Sequence, residues 1–88
     1  MKLEHEGENH ALIAKLQKTA RFEGATEVIT IDGLRVEYAD GFGLMRASNT
    51  TPVIVLRFEA DTQEALSRIQ ADFRRVLSEA LPGAKLPF

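Results

Sequence analysis

The apolar positions of this chain change period along its length, and the changes divide it into elements. From Ala11 onward, Leu12, Ile13, Leu16 and Ala20 recur at three- and four-residue spacing, while Lys15, Gln17, Lys18 and Arg21 fall mostly elsewhere on the wheel. That period predicts a short amphipathic helix. Asn9 is placed to cap it, and Lys15, Lys18 and Arg21 crowd its last half, where the negative end of the helix dipole favours cations. Gly24 is the expected terminator. Ahead of the helix, residues 1–10 show no apolar periodicity and read as a solvated lead-in or interdomain linker, which leaves residues 11–88 as the domain.

A period of two takes over at residue 27. Residues 27–38 alternate around Asp32-Gly33, a dipeptide whose tolerance of the left-handed region suits a type I′ hairpin turn. Asp40-Gly41 predicts another reversal, into a strand with Phe42, Leu44 and Arg46 on one face and Gly43, Met45 and Ala47 on the other. Residues 53–60 form a fourth strand, in which Ile54, Leu56 and Phe58 share the face suited to a core. The helical period then returns. Asp61 with Glu64 three residues on has the spacing of a capping box, Leu66, Ile69, Phe73, Val76, Leu77 and Leu81 hold one stripe, and Pro82-Gly83 closes it. The order helix, four strands, helix predicts an α+β domain, a four-stranded antiparallel sheet flanked in sequence by two helices that pack on one face.

Composition narrows the function classes. A chain of 88 residues, 44% hydrophobic, fits one small domain with one core. Its expected radius of gyration of about 12 Å leaves little room for an enclosed cofactor site, which argues against a self-contained cofactor enzyme. The absence of Cys removes disulfide scaffolds and thiolate metal sites. No apolar run is long enough to span a membrane, and the N-terminus lacks the plan of a signal peptide, so a cytoplasmic address is the default. Eleven basic against thirteen acidic residues argue against a nucleic-acid surface.

Candidate chemistry gathers at residues 46–52, between the third and fourth strands. Arg46 brings a planar fork of N–H donors, Ser48, Thr50 and Thr51 bring hydroxyls, Asn49 brings an amide, and a turn brings backbone N–H groups. Such a set suits a phosphate dianion, whose oxygens accept several charge-assisted bonds. The same residue types are also ordinary turn formers that satisfy their own backbone, and composition alone leaves both readings open. The remaining candidates have plainer explanations. His5 and His10 stand among Glu4, Glu6 and Glu8 with nothing to fix a metal geometry, so they read as surface residues. Asp32 and Asp40 each precede a glycine and belong to turns, and Arg35 and Arg57 are expected to pair across strands with Glu37 or Glu59. Phe22, Phe42, Phe58, Phe73 and Phe88 are spread through the chain and read as packing residues.

Residues 32–61, DGLRVEYADGFGLMRASNTTPVIVLRFEAD, carry a loop of the form R-x-S-(N or G)-T-x-P followed by an apolar strand. In this the chain resembles the C-terminal domain, the fourth, of the bacterial phosphomannomutase/phosphoglucomutase enzymes of the α-D-phosphohexomutase family. The resemblance implies a fold like that of the TATA-box-binding protein. It implies a parent enzyme that interconverts hexose 1-phosphate and hexose 6-phosphate through a phosphoserine and a bisphosphate intermediate, with magnesium. Phosphoserine, metal loop and sugar-recognition loop belong to the other three domains of such a parent, so the fragment alone is expected to be inactive and to hold no cofactor. What the resemblance implies for this chain is a grip on the substrate phosphate that is not being transferred, by Arg46, Ser48, Asn49, Thr50 and Thr51, and closure of the cleft. The expected partners are a phosphosugar and the other three domains, with neither nucleic acid nor membrane. The alternative of a different class is a free-standing regulatory module that binds a small metabolite. Against it, such modules interleave strands and helices, whereas here four strands run uninterrupted.

Overall fold

The computed structural model describes Leu3, residues 7–31 and 33–83, Leu86 and Phe88. Its elements are α1 (Glu8–Thr19), β1 (Ala25–Ile29), β2 (Leu34–Tyr38), β3 (Gly41–Ala47), β4 (Ile54–Ala60) and α2 (Gln63–Ala80). The four strands form one antiparallel meander in the order β1-β2-β3-β4. Registers Leu34↔Met45 and Met45↔Leu56 align the alternate apolar residues of β2, β3 and β4 on one face. Both helices cover that face, α2 over β3 and β4 and α1 over β2 and β3. The expected α+β architecture is the one observed. The core lies between the layers, where Leu34, Val36, Met45 and Ile54 from the sheet meet Ile69, Phe73 and Leu77 from α2 and Leu12, Ile13 and Leu16 from α1. The radius of gyration is 12.4 Å. Among the described residues no helix is long and apolar enough to cross a membrane.

The N-terminal part departs from expectation. Helix α1 begins at Glu8, its N-cap is Gly7 at φ 87°, and no side chain caps it. Asn9 is therefore inside the first turn and not its cap. The reason is geometric: residues 9, 12, 13 and 16 lie on one stripe of a 3.6-residue helix, so Asn9 is buried together with Leu12, Ile13 and Leu16. The stretch read as a solvated lead-in is thus partly built into the domain. Leu3 packs on the core and its N–H donates to the Pro52 carbonyl at 2.7 Å. At the other end α1 stops at Thr19, with Ala20 extended, and Gly24 at φ 80° serves the turn into β1 instead of terminating the helix.

Both hairpin connections differ from the expected two-residue turns at the Asp-Gly pairs. β1 ends at Ile29, opposite Arg35, so the first connection is longer than a two-residue type I′ turn. Asp32 lies outside the described residues, and Gly33 adopts φ 88°. The side-chain amide of Gln17 holds this connection against α1, donating to the carbonyls of Thr30 at 3.2 Å and Gly33 at 2.6 Å. In the second hairpin Tyr38 pairs with Gly41, which makes Ala39 and Asp40 the turn residues. Neither has positive φ. Gly41 is needed because β4 lies so close that a Cβ there would meet Ala60 Cα at 2.7 Å.

Helix α2 is capped by Thr62, not Asp61: Thr62 Oγ1 accepts from the Ala65 N–H at 3.1 Å. The Asp61 N–H instead donates to the Asp40 carbonyl at 2.9 Å, tying the entry of α2 to the β2–β3 turn. On the uncovered face of the sheet, Arg35–Glu37 at 3.3 Å and Arg57–Glu59 at 3.4 Å pair along a strand and not across strands. The Arg35 guanidinium also lies 4.2 Å from the Phe42 ring centroid, so Phe42 packs outside the core. Phe73 gathers the inner aromatics, with Phe22 at 4.9 Å and Phe58 at 5.1 Å between centroids, and Phe88 stacks outward on Phe58 at 5.0 Å.

Candidate functional site

Strand β3 ends in Arg46 and Ala47, β4 begins at Ile54, and residues 48–53 join them across the end of the sheet. Alternation puts Met45 into the core and turns Arg46 to the opposite, exposed side, paired in register with Val55. The loop is closed at its base, where the Ser48 N–H donates to the Val53 carbonyl at 2.9 Å. Within it the Val53 N–H donates to the Thr51 carbonyl at 2.8 Å. The Ser48 hydroxyl is the centre of a polar knot. Its Oγ lies 3.3 Å from Thr50 Oγ1, accepts from the Thr50 N–H at 3.3 Å and accepts from Thr51 Oγ1 at 3.4 Å. Serine and threonine here do what turn chemistry asks of them, and they also bring three hydroxyls to one side of the loop.

Arg46, Ser48, Asn49 and Thr50 line a single open groove of about 560 Å³. Its other wall comes from α1, through His10 and Gln17, and from Gly33 in the first hairpin connection. Gly33 fits there because a side chain would strike the Met45 carbonyl, at 2.6 Å from a Cβ, and the backbone of Arg46. Among the described residues that line the groove there is one arginine and no carboxylate. Four of the five loop residues picked from the sequence therefore meet in one place. Thr51 does not line the groove. Its carbonyl faces α1, where Asn9 Nδ2 donates to it at 3.1 Å.

The N–H inventory sharpens what the loop offers. The Ser48 N–H is spent on Val53, so Ser48 presents its hydroxyl, whereas the N–H groups of Asn49 and Thr51 take no partner among the described residues. The sequence reading missed the α1 wall. His10 is exposed, as a surface residue should be, and stands across the groove from the loop; His5 lies outside the described residues. The signal for this wall was the helical stripe itself, which runs back through residue 9 and so places residue 10 at the flank of the packed face. Among the described residues no three His, Asp or Glu side chains gather as metal donors.

Comparison with known proteins gives the family. Residues 5–76 match the family model described as phosphoglucomutase/phosphomannomutase, C-terminal domain. A phosphoglucomutase from Neisseria meningitidis serogroup B is 70% identical over 73 residues, covering 82% of this chain and 16% of the relative. A phosphomannomutase/phosphoglucomutase from Pseudomonas syringae is 53% identical over 78 residues, 89% of this chain and 17% of the relative. A crystal structure of a phosphoglucomutase/phosphomannomutase family protein from Burkholderia thailandensis superposes with a TM-score of 0.87 at 69% identity, over 91% of this chain and 18% of that one. The chain thus spans less than a fifth of the length of these relatives, 16% and 17% of the two enzymes and 18% of the crystallised chain. With the sheet order, the two helices on one face and the family match in agreement, the chain belongs to the phosphoglucomutase/phosphomannomutase family, as its C-terminal domain.

Proposed function

We propose that the groove grips the non-transferred phosphate of a hexose phosphate, and that the domain carries this grip into a larger phosphohexomutase and helps close its cleft. The observation that carries the reading is the convergence of Arg46, Ser48, Asn49 and Thr50 on one groove. A guanidinium, hydroxyls and a backbone N–H are the donor set that a phosphate dianion takes up. The volume of about 560 Å³ lies within the range of small-ligand sites. Such a grip reads phosphate and leaves the sugar unread. This suits a reaction in which a hexose phosphate presents first one end and then the other to a phosphoserine.

In that reaction the phosphoserine gives its phosphoryl group to the free hydroxyl of the sugar phosphate. The bisphosphate turns over, and the other phosphoryl group returns to the serine. The resemblance assigns the serine and the magnesium ion to the parent's other domains. This chain's part is binding and orientation, which lower the barrier by holding the reacting ends in place.

A titration of the ¹⁵N-labelled chain with glucose 1-phosphate tests the assignment. Amide shifts are expected at residues 46–50 and at His10, with a dissociation constant in the millimolar range, about −4 kcal/mol, because one wall of a cleft binds weakly. Absence of shifts at these amides well above millimolar ligand would overturn it.

A further inference from the structure

Asn9 is 1% exposed and is the one buried polar side chain among the described residues. Its Nδ2 donates to three carbonyls of the loop segment: Ser48 at 2.9 Å, Thr51 at 3.1 Å and Val53 at 3.0 Å. Its Oδ1 accepts the N–H of His10 at 2.9 Å. A carboxamide has two N–H hydrogens, so three carbonyls share two donors and the group is fully used. From this arrangement we infer that Asn9 is the positioning residue of the phosphate loop, an inference that rests on the reading of the groove given above.

The argument is one of peptide geometry. In a planar trans peptide the C=O and the N–H point to opposite sides, and no described peptide is cis. Drawing the Ser48 carbonyl onto Asn9, under the loop, turns the N–H of the same unit, that of Asn49, away from α1's buried stripe. That N–H has no other partner among the described residues, and Asn49 lines the groove. The Thr51 carbonyl is held in the same way, and its peptide unit has no N–H because Pro52 follows. Asn9 thus holds three carbonyls of the loop, and of the peptide units so held that of Ser48 and Asn49 keeps an N–H without a partner among the described residues. Its Oδ1 fixes the backbone of His10, the residue that begins the opposite wall. Both sides of the groove are therefore referred to one buried side chain, 39 residues from Ser48 in sequence. An apolar residue at this place on the stripe would leave the Ser48 carbonyl without a donor, and the Thr51 and Val53 carbonyls with only the backbone N–H groups of Val53 and Ser48.

The test compares Asn9→Leu with the unsubstituted chain, by amide spectra, hydrogen exchange and titration with inorganic phosphate. The inference expects amides 48–53 to shift and exchange at least about tenfold faster while those of β2 and α2 stay native, and phosphate affinity to fall about tenfold. It is overturned if the loop amides keep their native shifts and exchange, or if they are lost only together with β2 and α2, which is what a purely structural role produces. Should Asn9→Leu not fold, Asn9→Ser, with one hydroxyl donor in a smaller volume, carries the same comparison. If phosphate shifts no amide of the unsubstituted chain, the binding reading falls, and the loop amides of the variant still decide the role of Asn9.

Discussion

The ring of Phe73 in α2 rests on the backbone of Gly43 in β3, so close that a Cβ on Gly43 would lie 2.7 Å from Phe73 Cζ and nearer still to its Cε1. Phe73 is completely buried, with Phe22 and Phe58 on its flanks. This contact sets how closely α2 approaches β3. Gly43→Ala is therefore expected to overpack the core and to cost about 1–3 kcal/mol in denaturant unfolding. Phe73→Leu made in the Gly43→Ala background should recover part of that loss, and strictly additive losses would deny the contact.

Thr62 and Asp61 compete for the cap of α2, and the structure gives it to Thr62, whose hydroxyl holds the Ala65 N–H. Thr62→Ala is expected to lower stability by about 1 kcal/mol, whereas Asp61→Ala, which keeps the backbone bond to Asp40, should cost less. Unfolding midpoints of the two variants at equal slope decide the order.

What could be read from the sequence was what is local in it. Alternation in β2, β3 and β4 and the stripe of α2 follow from residues a few positions apart, so the sheet, the helices and the covered face were legible. Arg46, Ser48, Asn49 and Thr50 were legible as one group because they lie a few positions apart, at the end of β3 and in the loop that follows it. The turn positions were not. Asp40-Gly41 names residues that tolerate a turn, but the register Tyr38↔Gly41 is set by the approach of β4 at Ala60. Asn9 was hidden for another reason: an amide on an apolar stripe looks like the end of the stripe until its partners, distant in sequence, are known.

Arg46 is expected to dominate the grip. In a full-length phosphohexomutase carrying this domain, Arg46→Ala should lower kcat/KM by roughly ten- to a hundredfold, corresponding to about 1.5–3 kcal/mol of charge-assisted bonding. Arg46→Lys should recover only part, since a point charge replaces a fork. Thr51→Val, outside the groove lining, should leave kcat/KM within about twofold. Steady-state kinetics on the three variants distinguish the roles, and a large loss at Thr51 would move the site toward α1.

Tyr38 gives a spectroscopic check on the packing of α2. It is the chain's one tyrosine and there is no tryptophan, so tyrosinate absorbance reports a single group. Burial, first, and then the hydrogen bond its hydroxyl donates to Asp72 at 2.9 Å and the charge of that carboxylate raise its pKa well above the ordinary 10.0, against the opposing pull of Arg68 and Arg75. The folded value lies above the unfolded one. Its contribution to stability is therefore whole below pH 10, and is lost as the unfolded chain begins to release a proton that the folded chain retains. In the folded chain the phenol should remain protonated past pH 10, whereas in denaturant it should titrate near its ordinary value. Tyr38→Phe should remove the corresponding part of the alkaline fall in stability. The carboxylate side behaves oppositely: Arg68 lowers the pKa of Asp40, so that pair supports the fold above the carboxylate range and is lost on acidification. A native phenol midpoint close to 10 would show that Tyr38 is neither buried nor held by the Asp72 carboxylate in this way.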